Sequence, residues 1–186
     1  SKDGVIWADY ECTFPELSQN TTLYGHNWHN IYTPRTQANM QANDLMFSLV
    51  MSYNYTDFAQ ENPFVYFSTT EQDYVFQVFA SYYTDLNFDT TPFLDYKNIE
   101  VYNYAQMSQE DFQKVIAEAK AKSLSNYNVP VTSEDKIVTL STCTRVHGNT
   151  NNQRFVVMAK LVPVGTPSTT ISTHSNPIAY NSSIDA

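Results

Sequence analysis

Short apolar stretches broken by turn-forming residues run through most of this chain, a pattern that predicts strands more often than helices. Val5-Ile6-Trp7-Ala8 reads as one strand. Thr21-Thr22-Leu23-Tyr24 reads as another, ended by Gly25, and the polar loop between them, Glu11 to Asn20, holds Pro15. Phe64-Val65-Tyr66-Phe67 and Tyr74 to Tyr83 form a predicted strand pair around the polar turn Ser68 to Asp73. In the second of these, Tyr74, Phe76, Val78 and Ala80 share one face at period two. Ile137 to Thr142 and Phe155 to Val162 are two further strands, joined by the polar loop Thr144 to Gln153.

Two segments carry helical spacing instead. In Ala42 to Met51 the residues Leu45, Met46, Leu49 and Val50 make one apolar stripe, with Asn43 or Asp44 near its start. Ser108 to Ser123 is the clearer helix. Ser108 and Asp111 resemble a capping box, and Phe112, Val115, Ile116 and Ala119 repeat at helical spacing. Lys114, Glu118, Lys120 and Lys122 are expected to face water. After Pro163 the chain turns Ser/Thr/Asn/Pro-rich, so a domain over residues 1–163 is expected to be followed by a flexible tail over 164–186. Many short strands with two helices predict a mainly β fold, a small barrel or sandwich decorated by helices.

Composition narrows the function classes. The 186 residues suffice for one domain with a real core, and 42% hydrophobic and 15% aromatic content is that of a folded chain. A net charge of -9 argues against a nucleic-acid partner, which would require a Lys/Arg surplus. No apolar run approaches the roughly 20 residues that cross a bilayer. The two cysteines, Cys12 and Cys143, form no Cys-x-x-Cys pair, so no zinc site is expected. Asp85, Asp89, Asp95 and Glu100 match no calcium-loop spacing, and neither metal nor cofactor is expected. A catalytic Cys143 must be unbridged, so no disulfide is expected either.

Cys143 stands at the end of Ile137-Val138-Thr139-Leu140-Ser141-Thr142, where a strand delivers a side chain to the rim of a barrel. The thiolate is the reactive form, so such a site needs a base or a positive neighbour. Four histidines are available. His174 lies in the expected tail, and His147 sits in a loop that fixes it poorly. His26 follows Gly25 at a strand end, where glycine permits a turn that aims the ring. Spacing alone does not choose between His26 and His29. Acyl transfer also needs donors for a developing oxyanion. Arg154 opens the last long strand and would lie near Cys143 if the two strands form a hairpin; Arg145, in the loop, is its competitor.

Thr139-Leu140-Ser141-Thr142-Cys143, followed by Arg154 leading into Phe155 to Val162, resembles the active-site hairpin of sortases. Leu23-Tyr24-Gly25-His26-Asn27 resembles the histidine segment of the same family, and the order His, Cys, Arg is the family's order. The resemblance covers roughly Ser1 to Val162. The variant Leu-Ser-Thr-Cys and the helix Ser108 to Ser123 ahead of the cysteine strand resemble class B sortases. That class implies a closed, mostly antiparallel β-barrel with this helix in the connection before the cysteine strand.

The resemblance further implies a cysteine transpeptidase. Cys143 would attack the Thr carbonyl of a sorting signal and form a thioester, with His26 moving protons and Arg154 donating to the oxyanion. An amine from peptidoglycan or a pilin subunit would then release the acyl chain, and Ser141 and Thr142 would line the substrate groove. The family works at the extracellular face of the cell membrane of Gram-positive cells. One departure stands out: the strand or strands and the membrane anchor that sortases carry upstream of the segment matching Ser1 are expected to have been removed, to lie in another chain, or to be replaced by a partner's strand. The rival readings are a non-catalytic cell-surface binding domain that keeps the barrel, and a papain-like hydrolase. The latter fits badly, because its nucleophile opens a helix whereas Cys143 closes a β-run.

Overall fold

The computed structural model describes residues 4–27, 34, 37–39, 41–42, 44–86, 101–146 and 151–174. In chain order the strands and α-helices are β1 (Trp7–Ala8), β2 (Asn20–Tyr24), α1 (Thr56–Glu61), β3 (Phe64–Ser68), β4 (Asp73–Asp85), α2 (Gln109–Lys122), β5 (Ser125–Asn126), β6 (Ile137–Cys143), β7 (Gln153–Val162) and β8 (Ser172–Thr173). Short 3-10 helices lie at Gln37–Asn39, Val50–Asn54 and Val101–Asn103.

Six strands form one sheet in the order β1-β2-β6-β7-β4-β3. All of its neighbours are antiparallel except β2 and β6, which run parallel with Asn20 opposite Ile137 and Tyr24 opposite Ser141. Central β6 and β7 are covered on both faces, which is why they read as near-continuous apolar runs. The predicted closed barrel is a half-barrel by its ladders: among the described residues the hydrogen-bonded sheet ends at β1 and β3. The loop after β1 spans part of the interval. Tyr74 Oη donates to the Pro15 carbonyl at 3.1 Å, and the Phe14 ring lies 6.0 Å from that of Phe67.

The β3–β4 hairpin forms as the alternation predicts. Its face assignment needs one correction. Opposite β7, Val78 pairs with Ala159 and Ala80 with the adjacent Met158, so Phe79 is an extra residue, a β-bulge. Val78 and Ala80 therefore lie on different faces of the sheet.

The segment 42–51 is not the predicted helix. Met46 adopts φ 54°, which an α-helix excludes, so the chain makes turns and then the 3-10 helix Val50–Asn54. Of the expected apolar stripe, Leu45 stays 41% exposed, and the buried residues are instead Phe47 and Met51, which lie outside that stripe. The helix at 108–123 stands. Ser108 caps α2 by accepting from the Asp111 amide at 3.1 Å and binding the Asp111 carboxylate at 2.8 Å. Phe112, Val115, Ile116 and Ala119 are buried against the sheet, α2 packing on β4. Lys122, expected on the water face, is buried instead, with Nζ 3.7 Å from the Glu118 carboxylate.

The expected flexible tail is also different as far as His174. Its polar groups find partners: Thr169 Oγ1 donates to the Tyr127 carbonyl, and the Thr170 carbonyl accepts from Asn128 Nδ2. Ile171 is buried, and β8 pairs with β5. Residues 175–186 lie outside the described residues. Among the described residues no helix is long and apolar enough to cross a membrane.

Four tyrosines, Tyr24, Tyr53, Tyr83 and Tyr127, are held protonated by burial, their pKa values pushed up. In the unfolded chain a tyrosine ionises near pH ~10. Above that pH the folded state binds more protons than the unfolded one, so stability must fall as pH rises. We expect urea midpoints to be insensitive to these groups below pH ~9 and to drop steeply above pH ~10, with Tyr53→Phe reducing the drop.

Candidate active site

The hairpin β6–β7 places Cys143 directly opposite Arg154, the last pair of its ladder. Opposed residues of neighbouring strands point to the same side of a sheet, so thiol and guanidinium share a face. Cys143 is exposed and free of any disulfide. Arg154 is half-buried, and its Nη1 donates to the carbonyls of Asn151 and Gln153 at 2.8 and 3.0 Å. These bonds tie one end of the guanidinium to the β6–β7 loop. Arg145, its rival, is engaged with the Asn151 side chain at 3.0 Å.

The parallel pairing of β2 with β6 supplies the histidine. Because the two strands run the same way, their C-terminal ends meet at one rim. Tyr24 is opposite Ser141, and His26 follows two residues beyond this last pair, as Cys143 does on β6. The strand ladder ends at Tyr24, yet contact continues: the Gly25 amide donates to the Ser141 carbonyl at 3.3 Å. The Trp7 ring, paired with Tyr24, fixes the face. It lies 5.8 Å from the Tyr24 ring and 5.4 Å from that of His26. Cys143 and Arg154 thus face each other across β6 and β7, and His26 lies two residues beyond the end of β2, the strand on the other side of β6.

Gly25 and Gly4 make this arrangement possible. A Cβ on Gly25 would come within 2.6 Å of the Phe47 ring, so the backbone before His26 rests on an aromatic floor. Gly4, at φ 75°, lies so close to the imidazole that a Cβ there would sit 2.6 Å from His26 Cδ2. Gly4 and Trp7 therefore wall the ring on two sides, a role that the sequence pattern did not reveal. Trp7, within the strand predicted for Val5 to Ala8, was the one available signal.

Ser141 and Thr142, expected to line a groove, are both buried. Ser141 Oγ shares a hydrogen bond of 3.0 Å with Tyr102 Oη, and Thr142 Oγ1 donates to the Gly25 carbonyl at 2.7 Å. Strand alternation puts Thr142 on the face away from Cys143. Both residues hold the strand that carries the nucleophile, and neither presents surface. Beneath the rim, Asn20 Nδ2 donates to the Tyr102 carbonyl at 2.7 Å and Thr139 Oγ1 to Asn20 Oδ1 at 2.7 Å. Tyr24 Oη donates to Asp9 and accepts from Asn103 at 2.8 and 2.7 Å. Burial holds this phenol in its neutral form.

The other candidates fall away. Cys12 is half-buried with Sγ 3.8 Å from the Asn20 carbonyl, and burial raises its pKa, which favours the unreactive thiol. His174 Nδ1 lies 2.7 Å from the Ser123 carbonyl and belongs to the packed segment before residue 175. His29, His147, Asp89, Asp95 and Glu100 lie outside the described residues. No group of three or more His, Cys, Asp or Glu that could hold a metal occurs among the described residues.

The family model described as a sortase domain matches residues 1–162. The chain belongs to the sortase family. Its relatives are of one class: sortase B of Staphylococcus aureus is 29% identical over 163 residues, and sortase B of Listeria monocytogenes 29% over 162. These matches cover 88% and 87% of this chain but 57% and 56% of the relatives, so the chain spans a little over half their length. Solved structures agree. A sortase B complexed with triglycine superposes with a TM-score of 0.66 at 29% identity, covering 88% of this chain and 65% of that one. A Staphylococcus aureus sortase B–substrate complex gives 0.63 at 29% identity, covering 88% and 64%, and Clostridium perfringens sortase B gives 0.66 at 25%, covering 88% and 75%. Within the family the chain is class B-like, as the cysteine motif and the helix before it imply.

Gly25→Ala should press a methyl group into the Phe47 ring. Overpacking of this kind costs about 1–3 kcal/mol. The expected outcome is a lower urea midpoint, and a smaller loss in Gly25→Ala/Phe47→Leu, where the ring is gone.

Proposed function

We propose that this chain is the catalytic domain of a transpeptidase that joins a sorted protein to an amine at the surface of a Gram-positive cell. The observation that supports it is the ladder pair of exposed Cys143 with Arg154, beside the end of β2 from which the chain runs on to His26. The Cys143 thiolate attacks the threonyl carbonyl of a sorting signal of the Leu-Pro-x-Thr-Gly or Asn-Pro-x-Thr type. The carbonyl oxygen becomes an oxyanion within reach of the Arg154 guanidinium, whose fork carries five N–H donors. The peptide bond then breaks, His26 gives a proton to the departing amine, and a thioester remains on Cys143. An incoming amine, from a peptidoglycan cross-bridge or a pilin lysine, surrenders a proton to His26 as it attacks the thioester. The products are a new amide, the restored thiolate and a reprotonated His26.

The relatives' complexes support peptide and amine as ligands: one sortase B is solved with triglycine and that of Staphylococcus aureus with a substrate. The parent protein would act at the outer face of the membrane, where sorted proteins emerge. No step requires a metal or an organic cofactor, since thiolate, imidazole and guanidinium supply nucleophile, proton carrier and electrophilic support.

The test is mass spectrometry of products when sorting-signal peptides are mixed with triglycine or lysine amines. Cys143→Ala should abolish product. His26→Ala should lower kcat by about 10²–10⁴-fold and Arg154→Ala by about 10²–10³-fold. Full product formation by Cys143→Ala would remove Cys143 as the nucleophile and overturn this mechanism, and no product with the parent chain would leave a binding domain.

A further inference from the structure

We propose that Asn27 is a positioning residue that locks His26 to Cys143 through the carbonyl of the nucleophile itself. This rests on the reading of Cys143 and His26 as the reacting pair. Asn27 follows His26, is 4% exposed, and Nδ2 donates to the Cys143 carbonyl at 3.2 Å. The orientation of the amide is fixed by that contact, because a carbonyl can be met only by the NH₂ end. The same end of Asn27 lies against Met51 Sδ, which comes from the 3-10 helix beneath the sheet.

The position of this bond in the ladder gives it meaning. In a parallel pair the Gly25 amide bonds the Ser141 carbonyl, and the next rung would be the Asn27 amide on the Cys143 carbonyl. The Asn27 side chain takes that rung instead. The backbone is thereby released from the strand after Tyr24, yet remains fastened to β6 at its last residue. From the other strand, Thr142 Oγ1 reaches back to the Gly25 carbonyl at 2.7 Å. His26 is thus held between two neighbours, each bonded across to one of the last two residues of β6. The His26 carbonyl itself accepts from the Phe47 amide at 3.0 Å. With the backbone pinned on both sides, the imidazole keeps the placement that Gly4 and Trp7 give it beside the end of β6.

The test uses the full chain in a Cys12→Ser background, so that Cys143 is the one thiol. The pH dependence of alkylation by iodoacetamide is measured for the parent, Asn27→Ala, Asn27→Asp, Asn27→Gln, His26→Ala and His26→Ala/Asn27→Ala. Kinetics with a sorting-signal peptide and triglycine, and thermal melts, are recorded for each. We expect Asn27→Ala and Asn27→Asp to lower kcat by about 10- to 100-fold with KM within about twofold. Both should also displace the alkylation profile. Asn27→Gln, which keeps a donor, should recover part of each loss. In the His26→Ala background, removing Asn27 should change alkylation no further.

The proposal is overturned if Asn27→Ala keeps the parent's profile and kcat, or if its effect on alkylation is undiminished without His26. It is equally overturned if Asn27→Gln behaves as Asn27→Ala while the losses follow melting temperature alone. If the parent shows the alkylation coupling but transfers no peptide, the transpeptidase reading fails and the clasp stands.

Discussion

The parallel pairing of β2 with β6 is the contact on which the rest of this molecule depends. Five residue pairs set its register, which brings the segment after Tyr24 to the end of β6 that carries Cys143. A parallel pair cannot be joined by a tight turn, so everything between the two strands has to be accommodated in the crossover. The 3-10 helix at Val50–Asn54, the β3–β4 hairpin and α2 all lie in that connection. They form the underside and flank of the sheet whose rim carries the chemistry. A slip of one residue in this ladder would turn His26 to the other face.

Polar groups carry much of the register. Asn20 and Thr139 are fully buried and bonded to each other across β2 and β6, and Asn20 also reaches the carbonyls of Tyr102 and Tyr104. A hydrophobic ladder tolerates slippage, whereas a buried amide with specific partners does not. Leaving one such group unmet costs about 1–3 kcal/mol, which penalises every wrong alignment. A short segment within the crossover, residues 101–105, is also fastened to β2: the Asn20 backbone amide donates to the Ala105 carbonyl at 3.2 Å.

Local features were legible in the sequence and distant pairings were not. The β6–β7 hairpin could be read from two apolar runs and a polar loop, and with it the meeting of Cys143 and Arg154. The Ser108 cap and the stripe of Phe112, Val115, Ile116 and Ala119 declared α2. Which histidine joins them was undecided by spacing, because a parallel ladder between segments so far apart leaves no periodic trace. The helix expected at 42–51 failed on the backbone of one residue, Met46, whose positive φ no apolar stripe foretells. Ser141 and Thr142 looked like groove residues because they precede the cysteine, but alternation and Tyr102 bury them. The polar segment after Pro163 looked loose because hydrophobicity, and not hydrogen bonding, is what composition measures.

The single inserted residue in β4 has a mechanical meaning. On one side of Phe79 the strand keeps step with Ala159 to Val162, and on the other with Gln153 to Met158. Bulges sharpen the right-handed twist, so this one bends the longest strand midway and helps wrap the sheet around its own concave side. Evolution could not shorten β4 by one residue there without exchanging inside for outside along Ala80 to Asp85. Curvature, and so the depth of any cleft beneath the rim, is written into this chain as a count of residues in one strand.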